Sequence, residues 1–469
     1  MTVRFDPQVL ASNPRASVFV GANAGSGKTS TLVKRVARLL LAGAKPEAIL
    51  CVTYTKAGAA EMQRRLFEDL GAWAVMDDEP LTGALAKIEE NGRDLSEARA
   101  LFARALETPG GLKIQTIHAF CEKLLRRFPL EAGVSPGFTV LEDAAAVEIS
   151  RRARDDVAVR AMTHRDGSIA GAYAHFSVAL DYRAFNNMFA TFEARRAAIS
   201  AYIARRDADG GFGTDVWRRC GFASPTSPAD IEAKALSLIR WGLWKRTAHA
   251  VAAGTGKTDQ ALADAMLALG DGASFADITP IFFTKAGTPR ARFGTNSVDQ
   301  AARDWLHQEQ ARHVETMAQL AAAAVAEDTV HALTLATAYA GCYEGAKAAR
   351  GALDFGDLIA RTHALLTERA DAAWVLFKLD GGLEHVLLDE AQDTAPEQWD
   401  IVRTLTAEFF TGAGAGPAGR TIFTVGDEKQ SIFSFQGAAP ERLAIEARAF
   451  ATMVAGAGGR FQDVPLKDS

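Results

Sequence analysis

A glycine-rich stretch near the N-terminus has residue types that could bind a nucleoside triphosphate. "GANAGSGKTS" (21–30) follows the apolar run "SVFV" and opens a helical pattern, so backbone N–H groups and a helix N-terminus could surround phosphate oxygens. Lys28 could reach the terminal phosphates, and the Thr29 hydroxyl could bind Mg²⁺. We therefore predict a site for ATP and Mg²⁺ on this loop. The residues predicted to contact the nucleotide are Ala24, Gly25, Ser26, Gly27, Lys28, Thr29 and Ser30.

Acidic residues that could complete such a site follow a distant apolar run, in "VLLDEAQD". Asp389 ends this run, which predicts a carboxylate at the carboxyl edge of a sheet, where a Mg²⁺ ligand belongs. Glu390 could orient and deprotonate an attacking water. A third run, "TIFTVGDEKQ", places Gln430 where it could sense the γ-phosphate. The alternative for the acidic pair is a solvated turn, which the four apolar residues before it disfavour.

A second "GTGKT" (254–258) raises the question of a second nucleotide site. The residues before it, "SLIRWGLWKRTAHAVAA", have a helical pattern rather than that of a buried strand. We expect Gly254 and Gly256 to end one helix and turn the chain, with Thr258 or Asp259 capping the next. In the first loop only Ala22 departs from the strict pattern, which has Gly there. The sequence therefore predicts one nucleotide site.

Bulk composition bounds the remaining possibilities. The 469 residues carry a net charge of −5 without a polybasic run, so binding to nucleic acid would need a local groove of Lys and Arg. The four cysteines show no metal-binding or disulfide spacing, which indicates thiols in a reducing cytoplasm. We find neither a signal peptide nor an apolar stretch of membrane-spanning length, and we expect no membrane partner.

The pattern of elements predicts an α/β fold. Strand-like and helix-like stretches alternate in 1–140, long helical patterns dominate 141–345, and the alternation returns in 346–469. Such alternation is typical of a parallel sheet covered by helices. We predict one P-loop domain, formed by the first and last segments and interrupted by a mostly helical insertion.

Six motifs in order make the chain resemble the UvrD/RecB-like superfamily 1 DNA helicases. They read "ANAGSGKT", "CVTYTKAGAAEM", "IQTIHAF", "LDFGDLI", "LLDEAQD" and "VGDEKQSIFSFQGA". The last of these, together with "FFTKAGTPRARFGT" (282–295), is most similar to AddA subunits of AddAB helicase–nucleases. Phe433 and Gln436 depart from the Tyr and Arg of many relatives, which fits the AddA type less ambiguously than other UvrD-like repair helicases.

The resemblance implies roles for individual residues. Gln8 would recognise adenine, and Tyr54 and Phe435 would stack on single-stranded bases. Thr53, Thr116 and His118 would contact the DNA backbone. Without the motifs, core packing would be favoured for the two aromatic residues and a structural role for the histidine. Stacking on aromatic rings suits binding without sequence preference, because every base has a π-face.

The resemblance also implies what lies around this chain. The family's motor has two RecA-like halves, and the second half is missing here; Ser469 would begin its next motif. We expect an N-terminal part of a cytoplasmic, nucleoid-associated 3′→5′ helicase that processes double-strand breaks with an AddB-like nuclease subunit. DNA ends, single-stranded or duplex, would be its substrate. Alone, the chain could be a nucleotide- and DNA-binding module with little turnover. Lys285, Arg290 and Arg292 in the insertion could meet phosphates or be ordinary solvated side chains.

Overall fold

A computed structural model describes residues 6–23, 25–164, 167–207, 211–380, 382–410, 419–427 and 442–466. The contacts divide the chain into two compact units. The first consists of Met1–Glu148 and Lys347–Ser469, and the second of Ile149–Ala346. The helical insertion predicted from sequence spans 141–345.

Eight strands are present in the described residues: β1 (Ser17–Ala22), β2 (Ile49–Thr53), β3 (Lys113–Thr116), β4 (Thr139–Val140), β5 (Ala352–Leu353), β6 (His385–Leu388), β7 (Thr421–Gly426) and β8 (Phe461–Leu466). Six of them form one sheet in the order β3-β2-β6-β7-β1-β8. Every pairing in this sheet is parallel. The prediction of an α/β fold with a parallel sheet is therefore confirmed. The short β4 and β5 pair separately, also in parallel.

The helices in chain order are α1 (Pro7–Ala11), α2 (Lys28–Leu41), α3 (Lys56–Val75), α4 (Asp78–Ala86), α5 (Leu95–Leu106), α6 (Ile117–Arg127), α7 (Pro129–Ala132), α8 (Asp143–Thr163), α9 (Ser168–Ala179), α10 (Tyr182–Ala194), α11 (Arg196–Asp207), α12 (Phe212–Arg219), α13 (Pro228–Ser237), α14 (Trp241–Ala252), α15 (Lys257–Leu267), α16 (Phe275–Phe282), α17 (Gln300–Ala349), α18 (Phe355–Thr367), α19 (Ala372–Asp380), α20 (Pro396–Ala407) and α21 (Arg442–Gly456). Short 3-10 turns span Pro46–Ala48, Ala391–Asp393 and Glu408–Phe410. No helix among the described residues is both long and apolar enough to cross a membrane.

The sheet of the first unit is covered by helices on both faces. Val18 and Val20 of β1 belong to an apolar cluster with residues of α2, α3 and α5. Phe19, between them, belongs to the opposite cluster with residues of α6, α18, α20 and α21. Because successive strand residues point to opposite faces, both faces of the strand are apolar. This two-sided burial explains why the strands read as continuous apolar runs.

The carboxyl ends of the parallel strands lie on one edge of the sheet. Gly21 of β1 pairs with Gly426 of β7, and Leu388 of β6 pairs with Thr424 of β7. β2 continues the row beside β6, and Thr53 pairs with Thr116 of β3. Segments that leave these ends are therefore brought together, although they are far apart in sequence.

The second unit is helical in its described part. Its main apolar cluster surrounds Trp244, whose indole N–H donates to the carbonyl oxygen of Met266 at 2.8 Å. A smaller cluster joins Val216, Trp217 and Ile231 to Ala323 and Ala326 of α17. Outside the helices, the described part of this unit has one isolated bridge, between Phe283 and Pro289.

Candidate functional site

The predicted phosphate loop lies between a buried strand and a helix. β1 ends at Ala22, and α2 begins at Lys28 with Gly27 as its N-cap residue. Gly25 and Gly27 have φ of 78° and 82°, in the left-handed region that residues with a Cβ avoid. A Cβ on Gly27 would also lie 2.5 Å from Nε2 of Gln8. The loop conformation therefore depends on glycine at position 27.

Neighbouring side chains hold this loop in place. The Ser26 hydroxyl is buried and donates to the carbonyl oxygen of Asn23 at 2.7 Å. Gln8 donates from Nε2 to the carbonyl oxygen of Ser26 at 3.2 Å, and its Oε1 accepts from Lys34 at 3.0 Å. Gln8 thus lies against the loop. Thr29 and Ser30 lie on the first turn of α2 and are partly exposed, whereas Ala24 is outside the described residues.

Asp389 is buried at the end of β6. Its N–H donates to the carbonyl oxygen of Val52 at 2.9 Å, and its Oδ1 accepts from the N–H of Glu390 at 3.0 Å. Burial, followed by the charge of Glu390, raises the pKa of Asp389 to about 6. A nearby cation would offset this penalty on the charged carboxylate. With the Thr29 hydroxyl it provides the hard oxygen donors that Mg²⁺ prefers, so these residues fit that ion.

Lys28 and Glu390 meet although 362 positions separate them. Their Nζ and Oε2 atoms are 3.3 Å apart, and the Lys28 side chain is only 11% exposed. The carboxylate of Glu390 is the anion that neutralises Lys28 here. Glu390 has φ of 50°, a left-handed conformation that is costly for a residue with a Cβ. This backbone turn aims the carboxylate at the phosphate loop.

Gln392 connects Glu390 to the end of β7, a role that sequence reasoning missed. Its Nε2 donates to Oε2 of Glu390 at 2.7 Å, and its Oε1 accepts from the N–H of Asp427 at 2.8 Å. A Cβ on Gly426 would lie 2.9 Å from this Oε1, so glycine leaves room for the bridge. The signal in the sequence is a glutamine two residues after the acid in "DEAQD". Gln430, predicted nearby, is outside the described residues.

The residues expected to contact DNA lie at the ends of β2 and β3. The Thr53 hydroxyl accepts from the N–H of Thr55 at 3.2 Å, and the Thr116 hydroxyl caps α6 by accepting from the N–H of Ala119 at 3.2 Å. Both hydroxyls therefore also shape local turns, which was not foreseen.

The two aromatic rings at this end of the sheet are partly accessible. Tyr54 is half-buried and lines a small cavity that also reaches Asp389 and Glu390. The His118 ring lies 5.0 Å from that of Phe355, tilted by 57°, and burial lowers its pKa. This arrangement connects the expected DNA track to the acidic pair. Phe435 is outside the described residues.

The second GTGKT has a different environment. Helix α14 ends just before it, and α15 begins at Lys257 with Gly256 as N-cap. The expectation that Asp259 caps this helix is confirmed, although the helix begins two residues earlier than Asp259. The buried carboxylate of Asp259 accepts from the N–H of Gly256 at 3.0 Å and from the N–H of Thr295 at 2.7 Å. An anion supplied by the protein already uses these donors.

Lys285, Arg290 and Arg292 are all exposed in the second unit. One guanidinium N–H of Arg290 donates to the carbonyl oxygen of Pro280 at 3.0 Å. Their exposure is compatible with either alternative considered from the sequence.

Comparison with known proteins matches residues 6–451 to the family described as UvrD/REP helicase N-terminal domain. Three similar curated proteins are each named as the AddA subunit of an ATP-dependent helicase/nuclease. The one from Desulforudis audaxviator is 27% identical over 500 residues, covering 98% of this chain and 38% of that protein. The one from Pelotomaculum thermopropionicum is 25% identical over 475 residues, covering 94% of this chain and 35% of that protein. The one from Lactobacillus acidophilus is 33% identical over 161 residues, covering 34% of this chain and 12% of that protein.

Proposed function

Because the chain belongs to the UvrD/REP helicase N-terminal domain family, we propose that it is the ATP-binding motor half of an AddA-type DNA helicase. The contact between Lys28 and Glu390 carries this proposal. It joins a glycine-rich loop at a helix N-terminus to an acidic pair at the end of a neighbouring part of the sheet. A loop of this kind binds phosphate, and acids so placed bind a metal ion and activate water.

ATP binds with its phosphates on the loop at 25–30. Lys28 leaves Glu390 and pairs with the terminal phosphates, so that the positive charge follows the larger anion. Gln8, which already touches the loop, contacts the adenine. Thr29 and Asp389 hold Mg²⁺, which neutralises charge on the phosphates when it is bound. These assignments follow from the proximity of the side chains and from the oxygen donors that the two residues offer.

Glu390 acts as the general base once Lys28 has turned to the phosphates. It accepts a proton from the attacking water, and Gln392 holds its carboxylate by the 2.7 Å hydrogen bond. The same glutamine bonds the backbone of Asp427, at the start of the segment that carries Gln430. A change at the γ-phosphate can therefore reach both segments through one side chain. We place Gln430 among the residues that sense hydrolysis.

Single-stranded DNA lies along the ends of β2 and β3. Tyr54 and Phe435 stack on bases, and Thr53, Thr116 and His118 contact the backbone. Because the Thr116 hydroxyl is already engaged as a helix cap, we expect it to contribute less than His118. The small cavity shared by Tyr54 and Asp389 couples DNA to the nucleotide.

The whole protein would be larger than this chain, which spans only 12–38% of the length of the three relatives described above. We propose 3′→5′ translocation, a second RecA-like half that completes the ATP site, and a partner of the AddB-like nuclease type. The first unit would then be the RecA-like half and the second an accessory subdomain. Processing of double-strand breaks in the bacterial nucleoid is the corresponding role.

A second candidate function for these 469 residues alone is a nucleotide- and DNA-binding module with little turnover. The relatives' greater length favours it, because arginines supplied by another part of such a motor can contribute 10³–10⁵ in rate. Hydrolysis of labelled ATP by excess protein, with and without oligo(dT), separates the two candidates. DNA-stimulated hydrolysis that Glu390→Gln abolishes supports the motor, and ATP binding without hydrolysis supports the module. Absence of ATP binding contradicts both.

The DNA track is tested separately with a labelled oligo(dT). Base stacking is worth about 1–3 kcal/mol, so Tyr54→Ala should weaken binding roughly 5- to 150-fold. Tyr182→Ala is the matched control, since Tyr182 is exposed in the second unit. Equal affinities of the Tyr54→Ala variant and the unmodified chain would remove Tyr54 from the track.

A further inference from the structure

Two histidines and a glutamate of the second unit come together on neighbouring helices. His175 lies on α9, and Glu327 and His331 lie one turn apart on α17. One ligand atom from each residue can be chosen so that all three atoms lie within 4.8 Å of one another. Residues four apart on a helix share a face, so Glu327 and His331 project together toward α9. The candidate nucleotide site uses none of them.

The contacts within this group are unusual for an ordinary surface ion pair. The rings of His175 and His331 are 4.7 Å apart and tilted by only 35°. His175 Nε2 lies 2.6 Å from Oδ1 of Asp328, whereas His331 Nε2 lies 3.8 Å from Oε1 of Glu327, beyond hydrogen-bond distance. Two imidazoles therefore face each other with two carboxylates beside them. Only the His175–Asp328 contact is a good hydrogen bond.

The protonation of His331 favours metal binding over a second ion pair. Burial, followed by the neighbouring His175, lowers the pKa of His331. A neutral imidazole has a lone pair on one ring nitrogen, which is the form that binds metal ions. The side chains of His175 and His331 are 29% and 25% exposed, so an ion can enter from solvent.

We propose that His175, Glu327 and His331 bind a divalent transition-metal ion of the zinc class. Two imidazole nitrogens and one carboxylate oxygen suit zinc better than Mg²⁺ or Ca²⁺, which prefer oxygen donors alone. Ligand atoms around tetrahedral zinc are about 3.4 Å apart, given metal–ligand distances of about 2.1 Å. Rotamer changes of these partly exposed side chains supply the remaining contraction.

Asp328 holds the ring of His175 in this site. A carboxylate that accepts from the other ring nitrogen of a metal-bound histidine fixes its tautomer and orientation. The bound ion ties α9 to α17 within the second unit. Its consequence is stability of the helical unit and not chemistry on a nucleotide, so it is independent of the proposed function.

The test is zinc binding by the full 469-residue chain, freed of metal and of any histidine tag. A phosphine reductant is present because four cysteines could otherwise confuse the result, and nucleotide is omitted. Competition with a chromophoric chelator should show one zinc ion per chain. His175→Ala, His331→Ala and Glu327→Gln should each weaken binding at least tenfold. His249→Ala, an exposed histidine on α14, is the matched control and should leave the affinity unchanged.

Two further readouts separate a metal site from a purely structural role. Zinc should raise the thermal unfolding midpoint of the unmodified chain and of His249→Ala, but not of His331→Ala. Co²⁺ should give the visible absorption of a tetrahedral complex, and Mg²⁺ should not displace it. If His331→Ala fails to fold, His331→Gln takes its place. Zinc affinity that is absent, or equal in all variants, would overturn the site and assign the cluster to His175–Asp328 pairing.

Discussion

The two loops ending in Gly-Lys-Thr have nearly the same letters and opposite surroundings. The loop at 25–29 follows a buried strand, and its Lys28 reaches an acidic pair on another strand. The loop at 254–258 joins helices α14 and α15, and its N–H groups already bond the carboxylate of Asp259. Gly27 has φ of 82°, whereas Gly256 has φ of −84°. The comparison teaches that the preceding element and the prior use of the N–H donors decide phosphate binding.

The charge of Asp259 makes the second loop unsuitable for phosphate. The Thr295 hydroxyl and N–H, among other donors, lower the pKa of Asp259, so it is ionised at neutral pH. A phosphate there would meet a negative charge and find its donors occupied. The first loop instead presents Lys28 to whichever anion is strongest.

The largest expected effect is the loss of nucleotide binding in Lys28→Ala. A charged hydrogen-bonding group is worth about 1.5–3 kcal/mol, so affinity for a fluorescent ATP analogue should fall about 10- to 150-fold. Lys257→Ala is the matched control and should bind within about twofold of the unmodified chain. The opposite pattern would mean that the second loop holds the nucleotide.

The same substitution at two aspartates should change stability in opposite directions. At pH 7 the buried Asp389 is ionised at a cost, because its pKa is raised to about 6. Asp389→Asn should therefore stabilise the nucleotide-free chain by on the order of 2 kcal/mol, an advantage that vanishes below about pH 4, where the carboxyl is protonated in both states. Asp259→Asn should destabilise it, because a lowered pKa favours folding above the ordinary value. Chemical denaturation measures both, and effects of the same sign would refute this account.

Alanine at the two loop glycines should separate binding from folding. Gly27→Ala places a Cβ at positive φ and against Gln8, which costs about 1–2 kcal/mol and should lower nucleotide affinity about tenfold. Gly256→Ala places a Cβ 2.6 Å from Cγ2 of Thr295, so it should lower the unfolding midpoint without changing nucleotide affinity. Isothermal titration and thermal unfolding report the two effects. Reduced nucleotide affinity in Gly256→Ala would contradict the distinction.

The smallest expected effect is that of Gln8→Ala. Its hydrogen bond to the carbonyl oxygen of Ser26 is neutral and half-buried, and such a bond is worth about 0.5–1.5 kcal/mol. Nucleotide affinity should fall about two- to tenfold. If Gln8 also recognises adenine, the loss should be larger for ATP than for GTP. An equal loss for both nucleotides would leave Gln8 with the loop-holding role alone.

Local patterns in the sequence predicted the elements well. Apolar runs such as "SVFV" and "TIFTVG" became strands of the parallel sheet, and the helical pattern after Lys28 became α2. Burial on both faces produces this signal in every strand. Likewise, the helical residues before Gly254 were enough to separate the second loop from the first.

Contacts between distant segments could not be read in the same way. The strand order places β7 between β1 and β6, and only that order makes Gln392 a bridge to Asp427. The capping role of Thr116 depends on the start of α6, which local periodicity leaves uncertain by a few residues. The meeting of His175 with His331 requires the packing of α9 on α17. Each depends on tertiary geometry that no short pattern encodes.

The central claim is that one nucleotide binds per chain, on the loop at 25–30. A crystal structure of the chain with Mg²⁺ and a non-hydrolysable ATP analogue tests it most directly. We predict a triphosphate on that loop, Lys28 turned from Glu390 to the phosphates, and Mg²⁺ between Thr29 and Asp389. A nucleotide at 254–258, or one bound while Lys28 stays on Glu390, would contradict the account.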